Sequence, residues 1–177
     1  MFEKITYLES GNTKQKRAYK VINDVGIMTS LAEFNPILCG TLPINLDISG
    51  SDLDIIMEVY DFEHFEKMAR RLFGDRENFK IKRLVIREVP VIKVNFVYDG
   101  FEFELFGQPV PVTNQYAYLH MVIEHRLMEQ HPHLRVAVIQ KKEQGMKTEP
   151  AFCKLLGLEG DPYESLLEYG KSLGFTK

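Results

Sequence analysis

Apolar residues fall in short runs and alternations that predict five strands within the first 106 residues. Two short apolar runs, at residues 37–39 and 52–59, are typical of buried strands. Three alternating segments follow at about residues 80–87, 89–98 and 101–106. We expect these strands to belong to one mixed sheet.

A two-residue hairpin is predicted between the last two strands, where Asp99 and Gly100 favour a type I′ turn. Such a turn pairs Tyr98 with Phe101 and, further along the strands, Asn95 with Glu104. Since neighbouring side chains point to opposite faces of a strand, one face of this hairpin is apolar and the other is polar. The core face is expected to carry Val94, Phe96, Tyr98, Phe101, Phe103 and Leu105, and the polar face Lys93, Asn95, Glu102 and Glu104.

Apolar residues at helical spacing predict a helix over residues 13–25, with Thr13 as its cap. A second helix is expected over residues 61–73, capped by Asp61 and ended by Gly74. In the last third of the chain, further helices are expected over about residues 114–130, from Pro132, from Thr148 to Gly157 and from Asp161 to Tyr169.

Strands therefore come mainly before residue 106 and helices dominate after it. This order predicts the α+β class, with helices packed on one face of a mixed sheet and a helical C-terminal part. We expect residues 1–112 to form the α/β core and residues 113–177 to form the C-terminal helical part of the same domain.

The composition is that of a globular protein, since 45% of the 177 residues are hydrophobic and 27% are charged. The formal net charge is −3, whereas a protein that binds duplex nucleic acid usually carries a basic surface, so we expect no duplex nucleic acid as partner. No run of about 18 apolar residues occurs, so we expect no membrane association. The cysteines Cys39 and Cys153 lie far apart and predict no disulfide framework, which favours a soluble cytoplasmic protein.

Two carboxylates lie inside an apolar strand at Asp52 and Asp54, and ten residues separate Asp52 from the Gly40-Thr41 pair. Residues i and i+2 of a strand point to the same face, so these like charges are costly unless a cation lies between them. Oxygen ligands select hard cations, and Mg²⁺ is the natural candidate. Gly40 lets the backbone approach a ligand closely and Thr41 adds a hydroxyl, which together suit the terminal phosphates of a nucleotide.

A third acid on a neighbouring strand would complete a site for two metal ions. Glu104 lies on the polar face of the predicted hairpin and is the best candidate, with Glu102 as the alternative. Lys93 lies diagonal to Glu104, so an ordinary cross-strand ion pair is the competing interpretation of Glu104.

The spacing of apolar–Gly–Thr, ten residues and Asp-Leu-Asp-Ile resembles the signature of the nucleotidyltransferase superfamily, which has a DNA polymerase β-like fold. The segment from Asp99 to Glu104 resembles the element that carries the third acid of that superfamily, which favours Glu104 over Glu102. Thr41 stands where serine is commoner, and Glu104 where many relatives have aspartate. Residues 115–121, 124–127 and 147–152 are similar to an uncharacterised bacterial family of this superfamily.

This resemblance implies an enzyme that moves a nucleoside monophosphate from a nucleoside triphosphate to a hydroxyl of a small molecule or protein. Asp52, Asp54 and Glu104 would be catalytic and would hold two Mg²⁺ ions, one of them carried by the nucleotide. Gly40, Thr41 and Ser51 would bind the nucleotide. The alternative is a non-catalytic domain of the same fold that binds a nucleotide or a partner.

Two further patterns have weaker functional interpretations. His120 and Glu124 are spaced i, i+4 on a predicted helix, which is compatible with a zinc hydrolase but more typical of structural residues. Residues 47–52 resemble a calcium loop but lack its downstream bidentate glutamate. A cluster of basic residues predicts a solvated edge strand that discourages strand addition, with phosphate or acidic-partner binding as the alternative. The cluster consists of Lys80, Lys82, Arg83 and Arg87.

Overall fold

The computed structural model describes residues 2–176, which fall into two compact units. The first unit contains the chain up to Cys39 and Asp52–Asn114, and the second contains Gly40–Ser51 and the chain from Gln115 onward. That residues 113–177 complete the same domain as residues 1–112 stays a prediction.

The first unit is built around a five-stranded mixed sheet, as the apolar pattern predicted. Its strands, numbered along the chain, are β1 (Ile37–Cys39), β2 (Leu53–Glu58), β3 (Glu77–Ile86), β4 (Val89–Tyr98) and β5 (Phe101–Gln108). Their order in the sheet is β1-β2-β5-β4-β3. β2 and β5 are parallel, and the other neighbours are antiparallel. Lys80, Lys82 and Arg83 of the basic cluster lie on β3, which is an edge strand as predicted, whereas Arg87 lies in the turn that follows it.

The hairpin between β4 and β5 has the predicted turn and register. Asp99 and Gly100 have φ angles of 45° and 73°, the left-handed conformations of a type I′ turn. Tyr98 pairs with Phe101, and Asn95 pairs with Glu104. The faces of this hairpin are therefore the predicted ones.

Helices cover the apolar face of the sheet. Residues Phe62–Phe73 form the helix α3, and Phe65 and Ala69 are buried on it. Three aromatic rings continue this contact into the sheet, with Phe96 stacked between Phe73 and Phe103 at centroid distances of 4.9 Å. The helix α1 (Thr13–Val25) places the guanidinium of Arg17 over the ring of Phe101, 5.0 Å from its centroid. The opposite face of the sheet carries the polar residues.

The first helix is capped by Asn12 and not by Thr13, which corrects the sequence prediction. Asn12 has an extended backbone (φ −69°, ψ 175°), so Thr13 is the first helical residue. The Asn12 side chain accepts a hydrogen bond from the Gln15 amide (2.8 Å), and the Gln15 side chain accepts one from the Asn12 amide (2.9 Å). This reciprocal pair is a capping box with glutamine at its third position.

The variant Asn12→Ala is expected to lower the free energy of unfolding by about 1 kcal/mol, because one helix amide loses its acceptor. Thr13→Ala, at an exposed position just inside the helix, is the matched control and should stay within about 0.5 kcal/mol of the wild type. Urea unfolding followed by circular dichroism measures both variants. A larger loss for Thr13→Ala than for Asn12→Ala would contradict this assignment of the cap.

Short helical turns complete the first unit. A four-residue helix, α2, spans Ile27–Ser30, and 3₁₀ helices span Ile5–Ser10, Ala32–Phe34 and Val112–Asn114. The sequence pattern did not predict the first three of these elements.

The second unit is helical, as predicted for the last third of the chain. Its helices are α4 (Tyr116–Gln130), α5 (His133–Glu143), α6 (Thr148–Leu156) and α7 (Pro162–Ser172). Gly157 ends α6 in a left-handed conformation (φ 68°), and Asp161 caps α7 through two backbone amides. Gly170 lets α7 approach α4 closely, because a Cβ atom there would lie 2.4 Å from Ile123. No helix in the described part of the chain is long and apolar enough to cross a membrane.

Candidate active site

Strand pairing places Cys39 and two predicted site residues, Asp54 and Glu104, in one row on the polar face of the sheet. Cys39 on β1 pairs with Asp54 on β2, and Asp54 pairs with Glu104 on β5. Register partners on adjacent strands point to the same face, and adjacent strands lie about 4.8 Å apart. Because Leu53 and Ile55 are fully buried toward the core, Asp54 between them faces the other way. The structure therefore brings two of the predicted acids, Asp54 and Glu104, next to each other.

Asp52 precedes β2 by one residue and is half-buried. Burial raises the pKa of its carboxyl group, and a hydrogen bond from its own backbone amide opposes that increase. The negative charges of Glu104 and Glu102 raise this pKa further, whereas the positive charge of Lys93 lowers it. These effects place Asp52 within electrostatic reach of both candidate third acids and of Lys93.

Glu104 is engaged by two donors from β4. Its Oε2 atom lies 2.7 Å from Nζ of Lys93 and accepts a longer hydrogen bond, 3.5 Å, from Nδ2 of Asn95. The side chains of Lys93 and Glu104 are 26% and 22% exposed, so this ion pair is partly shielded from solvent. The diagonal ion pair that the sequence suggested is present, and a ligand role for Glu104 stays a prediction.

The surroundings of Asp54 are largely closed to water on the β1 side. Burial raises the pKa of the Cys39 thiol well above its usual range, and the negative charge of Asp54 adds to this effect. Burial also raises the pKa of the Tyr7 hydroxyl, as does the neighbouring Cys39. That hydroxyl is buried without a hydrogen-bond partner among residues 2–176. No sequence pattern points to Tyr7, because it lies in a short 3₁₀ helix without a simple apolar periodicity.

The donor set suits one hard cation better than two. Asp52 and Asp54 offer carboxylate oxygens two residues apart, which are ligands that Mg²⁺ prefers. Glu104 already has a cation of the chain at ion-pair distance. Within residues 2–176, no three His, Cys, Asp or Glu side chains are grouped in a way that could hold a metal ion, so an ion at Asp52 and Asp54 would need further oxygen ligands from the nucleotide or water. The residues therefore fit Mg²⁺ at Asp52 and Asp54 and do not fit a second ion at Glu104.

The predicted nucleotide-binding residues lie in the loop Gly40–Ser51 of the second unit. Gly40 has a φ of 76°, a conformation that glycine adopts readily. The carbonyl oxygen of Thr41 accepts a hydrogen bond from the Leu46 amide (2.9 Å), and Oγ of Ser51 accepts one from the Ile48 amide (2.9 Å). Binding of a nucleotide by Gly40, Thr41 and Ser51 stays a prediction.

Two cations of α5, which the sequence analysis did not single out, hold this loop. Arg135 donates to the carbonyl oxygen of Asn45 (2.9 Å), and Lys142 donates from Nζ to that of Leu46 (2.7 Å). Lys142 is only 8% exposed. Neither residue type nor spacing distinguishes them from surface charges of a helix, so no local signal could have found them.

His120 and Glu124 have the environment of structural residues. His120 places Nε2 2.9 Å from the carbonyl oxygen of Tyr163 and Nδ1 3.9 Å from Glu149. Glu124 is fully buried, and burial raises the pKa of its carboxyl group well above the usual range. The charge of Glu149 raises that pKa further, and that of Lys142 lowers it. These contacts belong to the packing of the helical unit.

Comparison with solved structures identifies the fold as that of nucleotidyltransferases. The polymerase core of TRAMP, an RNA surveillance complex, matches with a TM-score of 0.55 and 13% identity over 92% of this chain and 50% of that chain. The GLD-2/RNP-8 complex matches with a TM-score of 0.54 and 14% identity, over 82% of this chain and 59% of that chain. A structure of Cid1 poly(U) polymerase with Mg and 3′-dATP bound matches with a TM-score of 0.51 and 15% identity. The match covers 78% of this chain and 45% of that chain. The chain thus spans about half of the length of these structures.

Residues 20–169 match a family described as a domain of unknown function, DUF4269. The chain belongs to this family. No curated protein matches its sequence.

Proposed function

We propose that the protein is a Mg²⁺-dependent nucleotidyltransferase that transfers a nucleoside monophosphate from a nucleoside triphosphate to a hydroxyl group of a small molecule or protein. The observation that supports this proposal is the facing pair Asp54 and Glu104 on parallel strands of a nucleotidyltransferase fold, with Asp52 in electrostatic reach. Half-buried carboxylates so close together require positive charge, which Lys93 supplies at Glu104 and which Mg²⁺ would supply at Asp52 and Asp54.

In the proposed reaction, Asp52 and Asp54 hold Mg²⁺ with the nucleotide, and Gly40, Thr41 and Ser51 contact its phosphates. When bound, Mg²⁺ supplies positive charge that stabilises the developing charge on the leaving pyrophosphate. The acceptor oxygen forms a bond to the α-phosphorus as the bond between that phosphorus and the bridging oxygen to the β-phosphate breaks. Glu104, oriented by Lys93 and Asn95, takes the proton of the acceptor hydroxyl.

The acceptor is assigned by charge. The formal net charge of −3 disfavours a polyanionic acceptor, so a small molecule or a protein is proposed rather than duplex nucleic acid. TRAMP is an RNA surveillance complex and Cid1 has RNA terminal uridylyl transferase activity, so an RNA oligonucleotide belongs among the acceptors that are tested.

Incubation with labelled nucleoside triphosphates and candidate acceptors tests the proposal. We expect pyrophosphate release that requires Mg²⁺ and stops when the ion is chelated. Nucleotide binding is measured in parallel by equilibrium dialysis, and its affinity should rise when Mg²⁺ is added. Equal nucleotide affinity with and without Mg²⁺ would contradict the enzyme and support the second candidate.

That second candidate is a non-catalytic domain that binds a nucleotide or a partner through the same fold. The ion pair between Lys93 and Glu104 favours it, since it engages the third acid without any ligand. This candidate predicts binding without pyrophosphate release for every acceptor.

A further inference from the structure

Lys93 has an environment unlike that of the other lysines on its side of the sheet. Lys82 pairs with Lys93 across β3 and β4, and Lys80 pairs with Asn95, so the three lysines share the polar face. Lys80 and Lys82 are exposed, whereas Lys93 is half-buried with its ammonium group 2.7 Å from the Glu104 carboxylate.

We infer that the ammonium group of Lys93 takes the place of one of the two metal ions, so that the site binds a single Mg²⁺ with its nucleotide at Asp52 and Asp54. This inference rests on the proposed function and changes the number of ions expected from the sequence. It concerns a side chain of the protein itself, which provides a fixed positive charge at the third carboxylate.

The contacts of Glu104 support this exchange of a metal ion for an ammonium group. The Oε2 atom of Glu104 forms the ion pair with Nζ of Lys93 and also accepts the hydrogen bond from Nδ2 of Asn95. Mg²⁺ demands a nearly octahedral set of oxygen ligands, and an ammonium group bound to the same carboxylate repels it. A second ion would therefore have to displace Lys93 from a partly shielded ion pair.

The ammonium group of Lys93 already neutralises Glu104, so one divalent ion at Asp52 and Asp54 leaves none of the three carboxylates without a positive partner. Removing Lys93 would leave an unbalanced carboxylate that can accept a second divalent ion.

Counting bound Mn²⁺, as a stand-in for Mg²⁺, tests the inference without measuring activity. The ion is titrated into the full chain at a saturating concentration of a non-hydrolysable ATP analogue, and bound Mn²⁺ is quantified by electron paramagnetic resonance. We expect one ion per chain for the wild type and two for Lys93→Met. Lys82→Met, the exposed partner on β3, is the matched control and should keep one ion.

Further variants identify the carboxylate and guard against misfolding. The double variant Lys93→Met with Glu104→Gln should bind one ion again, because it lacks the Glu104 carboxylate that would hold the second ion. Lys93→Gln keeps a polar side chain and should also bind two ions if Lys93→Met fails to fold by circular dichroism.

The outcomes separate this inference from the proposed function. Two ions in the wild type would overturn the inference and leave the nucleotidyltransferase proposal standing. No bound ion in the presence of nucleotide would overturn both. A single ion in folded Lys93→Met or Lys93→Gln would show that Lys93 does not stand in for a metal.

Discussion

Replacing Asp54 with asparagine is expected to reduce the rate of pyrophosphate release by about 100-fold or more, comparable to the loss of one preorganised electrostatic group in an active site. Asparagine keeps the size of the side chain and its place between Cys39 and Glu104 in the sheet. It removes the negative charge that makes the side chain a ligand for Mg²⁺. The loss should therefore fall on catalysis and on the metal-dependent part of nucleotide binding, not on folding.

Glu58→Gln is the matched control, because it also neutralises one carboxylate on β2. Glu58 is four residues from Asp54 and therefore on the same face of the strand. Its carboxylate accepts hydrogen bonds from the hydroxyl of Tyr60 (3.0 Å) and from Nδ2 of Asn35 (3.3 Å). The rate for Glu58→Gln should remain within about twofold of the wild type. If both variants lose activity equally, or if Asp54→Asn keeps most of its rate, Asp54 does not hold the nucleotide-bound metal.

The hairpin that carries Glu104 shows which features of this fold are encoded locally. Asp99 and Gly100 both accept positive φ angles, so two residues determine the turn, and the turn determines every pair along β4 and β5. The turn between β3 and β4 shows the opposite case. Arg87 and Glu88 also adopt positive φ angles, 48° and 64°, but neither residue type indicates such a turn. The strand was consequently predicted to extend through Arg87.

The parallel pairing of β2 with β5 was not predictable from local pattern. Asp54 and Glu104 lie far apart in the sequence, and no turn between them sets the register that makes them partners. The alternation of the hairpin made Glu104 the best candidate for a third acid, and the nucleotidyltransferase resemblance favoured it over Glu102, but neither set its register against Asp54. The ion pair of Lys93 with Glu104 followed more directly, because the hairpin register places the two residues diagonally.

Burial of charged residues in the helical unit was also beyond local prediction. Glu124 and Lys142 are 3% and 8% exposed, although glutamate and lysine are usually surface residues of helices. Their burial depends on which helices pack together, which a single helical pattern does not encode. The consequence is a buried acid whose protonation is linked to folding.

Raising the pH from 5 to 8 is expected to destabilise the wild type through Glu124. Its carboxyl group has a pKa of about 4.3 when unfolded and a much higher one when folded, because of burial and the nearby charge of Glu149. Between these two pKa values the folded state holds the proton and the unfolded state has lost it. The free energy of unfolding therefore falls with rising pH in this window, by up to about 1.4 kcal/mol per pH unit. Below the unfolded pKa the contribution no longer changes.

The variant Glu124→Gln isolates this effect, because an amide of the same shape does not ionise. We expect its stability relative to the wild type to increase steadily from pH 5 to pH 8, as measured by urea unfolding and circular dichroism. Glu143→Gln, at an exposed position at the end of α5, removes one carboxyl group and should leave the pH dependence of the wild type unchanged. Since all other groups titrate alike in the three proteins, the difference between the curves reports Glu124 alone. Parallel curves for the wild type and Glu124→Gln would mean that this carboxyl group is not held protonated by folding, and that its charge is compensated by Lys142 instead.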